Sequence, residues 1–129
     1  MSRPEMISVL AIDDSRTMRE LLRRALEGAG MEVTTADDGV LGVQTFQEAR
    51  FDAVITDINM PNLDGFGVIE AIRAGGGNKR VPILVLTTET GPELRARARD
   101  AGATGWLTKP FEEGALVQTL RRVAGAALR

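Results

Sequence analysis

Residues able to bind a metal ion or a phosphate follow four short apolar runs of this sequence. They are Asp13 and Asp14 after residues 6–12, Asp57 after 52–56, Thr87 and Thr88 after 81–86, and Lys109, which Pro110 follows, after 104–108. If the runs are parallel strands of one sheet, their carboxyl ends lie along one edge, where open α/β sheets bind ligands. Three carboxylates, a hydroxyl and an ammonium group would then converge from distant parts of the chain.

The converging groups suit phosphoryl transfer. Asp13, Asp14 and Asp57 would repel one another when ionised, and Mg²⁺, which prefers oxygen ligands, would remove that repulsion. An ionised aspartate can attack phosphorus and form an aspartyl phosphate. Lys109 and the Thr87 hydroxyl could contact the phosphoryl oxygens, whose neutralisation supplies most of the catalysis. The pattern indicates aspartate phosphorylation without a catalytic histidine.

Each group also has an ordinary structural explanation. The acidic pair could cap the helix that follows, and Asp57 could be a turn residue. The threonine pair could cap a later helix, and Lys109 could be a surface side chain. Complementary groups at four strand ends favour one shared site over four separate structural roles.

Composition restricts the function further. The 129 residues suffice for one domain, and they include neither cysteine nor histidine, which excludes thiolate chemistry and imidazole bases. No apolar stretch approaches the roughly 20 residues of a membrane span, and residues 1–5 do not begin a signal peptide. We therefore expect a cytoplasmic protein that has no contact with membranes.

The charge is distributed unevenly. Residues 1–90 carry 9 basic and 14 acidic side chains, and residues 91–129 carry 7 and 4, so the two parts have net charges of −5 and +3. The pI of about 5.2 and the scarcity of aromatic residues argue against nucleic-acid binding. The basic final third is either a solvated helix face or a surface for an acidic protein partner.

Apolar spacing predicts five helices. The first helix spans 15–30 and should bury Met18, Leu21, Leu22, Ala25, Leu26 and Ala29. The second contains Val40, Val43 and Phe46, and the third contains Phe66, Ile69 and Ile72 behind a cap at Asp64. The fourth spans about 92–101 and has only Leu94, Ala98 and Ala101 to bury, and the fifth begins near 112 and should bury Leu116, Leu120, Val123 and Ala127. The fourth helix should therefore be weakly anchored.

Five strands, including a short one at 32–36, alternate with these helices. The alternation predicts an α/β fold with a parallel sheet covered on both faces, and right-handed crossovers leave few topologies. One of them is the flavodoxin-like (βα)5 order 2-1-3-4-5. We expect a single domain over residues 1–129, with its core at about 6–127 and no effector domain.

At these motifs the chain resembles the receiver domains of two-component response regulators, most closely the single-domain chemotaxis (CheY-like) type. The motifs are the acidic pair Asp13–Asp14, Asp57 within Asp-Ile-Asn-Met-Pro-Asn-Leu-Asp-Gly (57–65), Thr87, and Lys109-Pro110-Phe111. The resemblance covers residues 6–127. It implies a signalling phosphoacceptor rather than an enzyme, with self-catalysed phosphorylation and dephosphorylation.

The resemblance also implies individual roles. Asp57 would accept a phosphoryl group from a histidine kinase. One Mg²⁺ would be held by Asp14, Asp57 and the backbone carbonyl of Asn59, with Asp13 assisting mainly through water. Lys109 and Thr87 would contact the phosphoryl group, and the Lys109–Pro110 bond would be cis.

Two further pairs of positions concern switching and phosphate lifetime. In the family, the residue that corresponds to Thr87 moves toward the phosphate, and an aromatic residue turns inward behind it. In this chain that aromatic residue is Trp106. Tryptophan is larger than the usual tyrosine or phenylalanine, and Thr88 replaces a smaller residue, so both should hinder the switch. Asn59 and Glu89 resemble the residues of short-lived chemotaxis regulators, which implies a lifetime of seconds to minutes.

The resemblance suggests the partners but does not select one output. A chemotaxis-type kinase would read helix-one residues such as Arg16, Arg19 and Arg23. A flagellar motor switch protein, or another acidic partner, would bind a monomer on the face formed by helix four, strand five and helix five. Arg95, Arg97, Arg99 and Arg122 would make that face positive. A phosphate sink or a phosphorelay intermediate would have the same sequence requirements.

Two other function classes use a similar fold or chemistry. A Mg²⁺-dependent phosphatase of the haloacid-dehalogenase type needs a general acid two residues after its nucleophile, where this chain has Asn59. A flavin-binding or adaptor module would not depend on phosphorylation. A flavin-type phosphate loop rich in threonine and serine is missing after the first strand, where Asp13 and Asp14 would repel a phosphate.

Overall fold

A computed structural model describes residues 6–127 as five strands alternating with five helices. In chain order they are β1 (Ser8–Ile12), α1 (Arg16–Gly28), β2 (Glu32–Ala36), α2 (Gly39–Glu48), β3 (Ala53–Thr56), α3 (Gly65–Ala74), β4 (Ile83–Thr87), α4 (Pro92–Ala101), β5 (Gly105–Thr108) and α5 (Glu113–Ala127). The segment 1–5, in which a signal peptide was not expected, lies outside the described residues. Within 6–127, no helix combines the length and apolarity that crossing a bilayer requires.

The strands form one parallel sheet in the order β2-β1-β3-β4-β5, which confirms the predicted flavodoxin-like topology. The register pairs Ile12 with Thr56 and Thr87 with Thr108, so neighbouring strands end nearly level at their carboxyl ends. Thr87 is itself the last residue of β4. The strand begins at Ile83, after Pro82, which has no N–H to donate to a ladder.

Each face of the sheet supports its own hydrophobic layer, because alternate strand residues point to opposite sides. The layer beneath α1 and α5 contains Val9, Ala11, Ile55, Leu84 and Leu86 with Leu22, Leu26, Leu116 and Leu120. The opposite layer, beneath α2, α3 and α4, contains Leu10, Ile12, Val54, Ile83 and Val85 with Phe46, Phe66, Ile69 and Ile72.

Side chains cap three helices as their sequences suggest. Ser15 accepts a hydrogen bond from the Met18 amide at the start of α1, Asp38 caps α2, and the predicted cap at Asp64 is confirmed. Helix α4 begins at Gly91 without a side-chain cap. Its weak anchoring is also confirmed, because Ala98 is the one fully buried residue of α4.

Of the side chains expected to be buried, Leu21 is 44% exposed, and the half-buried ones are Met18, Ala29, Leu94, Ala101 and Val123. Val40 in α2 is 43% exposed. In α2 the inward positions belong to Gly39 and Gly42, where a side chain would overlap the Leu63 backbone and the Ile12 side chain respectively. Gly42 brings α2 close to Ile12 of β1, and Gly39 brings it close to the loop before α3, so that Val40 is turned outward. The predicted burial of Ala127 lies outside the described side chains.

Candidate functional site

The predicted convergence of acidic residues is present at the carboxyl edge of the sheet. One carboxylate oxygen each from Asp13, Asp14 and Asp57 lies within 4.8 Å of the other two. Asp13 and Asp57 are buried and Asp14 is exposed, so the cluster opens to solvent on one side. This spacing matches an ion held by several oxygen ligands.

Lys109 reaches the cluster from the end of β5. Its Nζ lies 2.8 Å from Asp13 Oδ2 and 2.7 Å from Asp57 Oδ2. The Lys109 amide donates to the Thr87 carbonyl at 2.8 Å, and the following Lys109–Pro110 bond is cis, as the resemblance implies. Three carboxylates and one ammonium group leave two negative charges unbalanced, which is the charge that a divalent cation such as Mg²⁺ would neutralise.

Backbone hydrogen bonds fix the two buried aspartates. The Asp13 amide donates to Ala36 and the Asp57 amide to Ile12, both at 3.1 Å, so each carboxylate follows directly from a paired strand. The Asp57 Oδ1 atom accepts from the Ile58 amide. Gly65 permits this geometry, because a Cβ atom there would overlap the Asp57 carbonyl.

Capping and turn roles do not account for these residues. Ser15, not the acidic pair, is the N-cap of α1, and Gly91 occupies that position in α4. Asp13 does accept from the Ser15 amide at 2.9 Å, but its other oxygen contacts Lys109. Asp57 likewise uses its second oxygen for Lys109.

Burial and charge shift two pKa values in this site. Burial raises the pKa of Asp13 above its usual range, and hydrogen bonds from Lys109 and the Ser15 amide only partly oppose that effect. Burial alone would lower the pKa of Lys109, but its hydrogen bonds to Asp13 and Asp57 outweigh it and the pKa is raised. Lys109 therefore stays charged at neutral pH.

Further polar groups lie at the end of β4 and just beyond the ends of β3 and β4. Thr87 is fully buried, and its Oγ1 accepts from the Glu89 amide at 3.3 Å. The Asn59 side-chain amide donates to Glu89 Oε2 at 2.7 Å, which joins the two residues that the sequence associated with phosphate lifetime. Thr88 is exposed beyond the end of β4, so it is not part of the buried surroundings of Thr87.

Trp106 lies in β5, two residues before the end of that strand. It pairs with Val85, two residues before Thr87, and it is half-buried on the α4 side of the sheet. Its indole Nε1 is buried, and no hydrogen-bond partner for it occurs among residues 6–127. A cavity of about 140 Å³ beside the ring is also lined by Arg95 and Arg99.

Sequence reasoning missed the contacts of three arginines. Arg97 stacks over the Phe66 ring at 3.9 Å, so it faces α3 and does not join Arg95 and Arg99, because positions two apart lie on opposite sides of a helix. Arg73 donates to the carbonyls of Lys79, Val81 and Gly102. Arg19 donates to the Asp13 carbonyl at 2.8 Å.

Comparison with known proteins agrees with this geometry. The family model "Response regulator receiver domain" matches residues 9–121. The chain belongs to this family. Receiver domains act in two-component signalling, in which they accept a phosphoryl group, generally from a histidine kinase, and they bind Mg²⁺ at an acidic pocket.

The relatives differ in length and description. "Response regulator MprA" from Mycobacterium leprae is 42% identical over 115 residues, which are 89% of this chain and 48% of the relative. The version from Mycobacterium sp. (strain KMS) is 40% identical over the same share of this chain and 49% of its own length. The chain thus spans about half the length of these curated relatives.

Solved structures share the fold over almost their whole length. The chemotaxis protein CheY4 of Vibrio cholerae has a TM-score of 0.88 and 47% identity, covering 92% of this chain and 99% of that one. The receiver domain of the sensor histidine kinase PA1611 from Pseudomonas aeruginosa, with a magnesium ion coordinated in its active site cleft, has a TM-score of 0.86 and 30% identity, covering 94% and 99%.

Proposed function

We propose that this chain accepts a phosphoryl group from a histidine kinase on Asp57 in a Mg²⁺-dependent reaction. The main support is the 2.7 Å contact between Lys109 Nζ and Asp57 Oδ2, together with the carboxylates of Asp13 and Asp14 within 4.8 Å. Asp57 lies beside the positive charge of Lys109, and the acidic neighbours supply oxygen ligands. Residues 6–127 would form one receiver domain.

The proposed reaction requires little covalent chemistry from the protein. One Asp57 oxygen attacks phosphorus, and the bond from phosphorus to the kinase histidine nitrogen breaks as the new oxygen–phosphorus bond forms. Lys109 and Thr87 would donate to two phosphoryl oxygens. Bound Mg²⁺, with Asp14, Asp57 and the Asn59 carbonyl as ligands and Asp13 acting through water, would neutralise the remaining charge.

Phosphorylation can be tested without the kinase. Acetyl phosphate with Mg²⁺ should add the mass of one phosphoryl group to the intact protein, and EDTA should prevent the addition. Asp57→Asn should show no addition, whereas Asp37→Asn, which removes an exposed carboxylate, should behave like the wild type. Phosphorylation of Asp57→Asn at the wild-type rate would refute the assignment.

The pairing of Asn59 with Glu89 supports a short phosphate lifetime. Their 2.7 Å hydrogen bond holds a carboxylate and an amide beside the Asp57 loop, where they can orient an attacking water. We expect the phosphoprotein to decay within seconds to minutes, and persistence for hours would contradict this. Asn59 is no general acid, so steady hydrolysis of phosphate esters is not expected.

Similarity to the Vibrio chemotaxis protein supports an output in flagellar motor control. The partner would be a motor switch protein or another acidic protein that binds the face of α4, β5 and α5, fed by a chemotaxis-type kinase in the cytoplasm. Arg95, Arg99 and Arg122 are exposed there, and the protein would act as a monomer. Use as a phosphate sink or phosphorelay intermediate remains the alternative.

A binding measurement distinguishes motor control from use as a phosphate sink or relay. A motor switch protein should bind more tightly when Mg²⁺ and beryllofluoride, a phosphoryl mimic, are present, and Arg95→Glu with Arg99→Glu should weaken that binding. Equal binding with and without the mimic would favour a sink or a relay.

A further inference from the structure

The peptide group that joins Asp13 to Asp14 is held by an arginine from the next helix. Arg19 Nη1 in α1 donates to the Asp13 carbonyl at 2.8 Å, where Asp13 is buried and Arg19 is half-buried. Among residues 6–127, no backbone N–H donates to this carbonyl, and Arg19 forms no ion pair. The guanidinium thus binds a neutral acceptor although three carboxylates lie close by.

This hydrogen bond acts on Asp14 through the planarity of the peptide bond. Fixing the Asp13 oxygen fixes the plane of the Asp13–Asp14 peptide, and with it the direction in which the Asp14 Cα leaves the strand. Asp13 has further anchors, since its side chain contacts Lys109 and the Ser15 amide. The Asp14 carboxylate is exposed and has no hydrogen-bond partner within 6–127, so its position depends on the backbone.

We propose that Arg19 is a positioning residue for the metal site, which holds the Asp13–Asp14 peptide so that the Asp14 carboxylate faces the cation. The proposal rests on the Mg²⁺-dependent function proposed above. Mg²⁺ demands near-ideal octahedral geometry, so a small rotation of one ligand-bearing loop lowers its affinity. Partners of this kind behind metal ligands typically contribute 10–100-fold in affinity.

Positioning and simple electrostatics predict opposite signs. Arg19 carries a positive charge next to a cation site, so removing that charge alone would strengthen Mg²⁺ binding. If Arg19 orients the loop, removal weakens binding despite the more favourable charge. The sign of the change therefore distinguishes the two roles.

Isothermal titration of the metal-free protein with MgCl₂ provides the test. Arg19→Gln should weaken Mg²⁺ binding about tenfold, and Arg19→Lys, which keeps the charge and one donor, should recover part of the loss. The matched control is Arg24→Gln, because Arg24 is exposed on α1 and its side chain has no hydrogen-bond partner within 6–127. That control should bind Mg²⁺ as well as the wild type or slightly better.

Folding must be separated from positioning. Thermal unfolding of each metal-free variant sets a temperature at which all of them are folded, and the titrations are compared there. Unchanged or tighter Mg²⁺ binding by Arg19→Gln would overturn the proposal, as would an equal loss in Arg24→Gln. A wild-type protein that binds no Mg²⁺ would instead refute the metal-dependent function itself.

Discussion

The ammonium group of Lys109 lies between two carboxylates that would otherwise repel each other. It contacts Asp13 and Asp57 at 2.8 and 2.7 Å and is largely buried. A phosphoryl group on Asp57 would need the same cation, so Lys109 stabilises the unmodified site and would bind the modified one. Both roles of Lys109 follow from the position of its ammonium group between Asp13 and Asp57.

Removing this cation should make the fold depend on Mg²⁺. In EDTA, Lys109→Met leaves two buried carboxylates without their charged donor and should lower the free energy of unfolding by about 1–3 kcal/mol. Added MgCl₂ should raise the melting temperature more in this variant than in the wild type, because the metal replaces the missing charge. Thermal unfolding with and without MgCl₂ measures the difference.

Lys79→Met is the matched control, since Lys79 is an exposed lysine far from the cluster in sequence. It should show the wild-type response to Mg²⁺. An equal response in Lys109→Met and the wild type would show that Lys109 does not substitute for the metal.

The raised pKa of Asp13 gives a second prediction, on the pH dependence of stability. Because burial raises the folded-state pKa above the unfolded value of 3.8, the folded protein binds the proton more readily, and this group favours folding more as pH falls toward 3.8. In EDTA, Asp13→Asn should therefore have a higher free energy of unfolding, relative to the wild type, at pH 7 than at pH 4. Urea unfolding at several pH values measures this.

Asp38 provides a comparison of opposite sign. Hydrogen bonds from the Leu41 amide and the Asn62 side chain lower the pKa of Asp38, so its contribution is present above 3.8 and is lost as pH falls further. Asp38→Asn should thus lower the free energy of unfolding at pH 7, and this loss should shrink as pH falls below 3.8. The same slope for both variants would contradict these assignments.

Residue types and strand ends were sufficient to predict which side chains converge, because the carboxyl ends of parallel strands share an edge. They were not sufficient to predict the partners of Arg19 and Arg97. A long flexible side chain can reach several acceptors, and its choice depends on packing between elements that spacing does not encode. Arg97 was accordingly assigned to the wrong side of α4.

Helix α4 is the element that apolar packing holds least. Ala98 is its one fully buried residue, and it begins without a side-chain cap. Two arginines provide other contacts that hold α4. Arg97 stacks on Phe66 in α3, and Arg73 in α3 donates a hydrogen bond to the Gly102 carbonyl just beyond α4. An element held by such contacts can shift at low cost, which suits the face proposed for partner binding.

Loss of the Arg97 contact should loosen α4 locally. Arg97→Ala removes a cation–π interaction worth about 0.5–1 kcal/mol at an exposed site. Amide hydrogen exchange should accelerate in α4 while α1 and α5 remain protected. Arg95→Ala is the control, since Arg95 lies on the opposite side of the helix and should leave exchange unchanged. Identical exchange in both variants would show that the stacking does not anchor α4.

Apolar spacing also does not encode how closely a helix packs against its neighbours, just as it does not encode the partners of long side chains. Spacing correctly predicted five helices and their order, but it placed Leu21 in the core, where it is exposed. In α2 the close approach of Gly39 to the Leu63 backbone and of Gly42 to Ile12 decides which side faces inward, and a pattern of apolar residues cannot indicate such contacts.

Across the whole molecule, β4 and β5 connect the acidic edge to the α4 face. Thr87 pairs with Thr108, the neighbour of Lys109, while Val85 pairs with Trp106. The buried indole Nε1 has no partner within 6–127, and such a group costs about 1–3 kcal/mol. The cavity of about 140 Å³ beside it provides room for movement. A change at Thr87 could therefore alter the balance between positions of the Trp106 ring.

This coupling predicts a fluorescence response from the single tryptophan. Mg²⁺ with beryllofluoride should draw Thr87 and Lys109 toward the mimic and favour ring positions in which the indole N–H finds a partner, so that Trp106 emission changes. Asp57→Asn should abolish the response because it prevents the mimic from binding. Thr87→Ala should bind the mimic but respond less, since it keeps the acidic site and lacks the moving hydroxyl. If emission stays constant in a wild-type protein whose phosphorylation is confirmed by mass, Trp106 is uncoupled from Asp57, and any signal must reach the α4 face by another route.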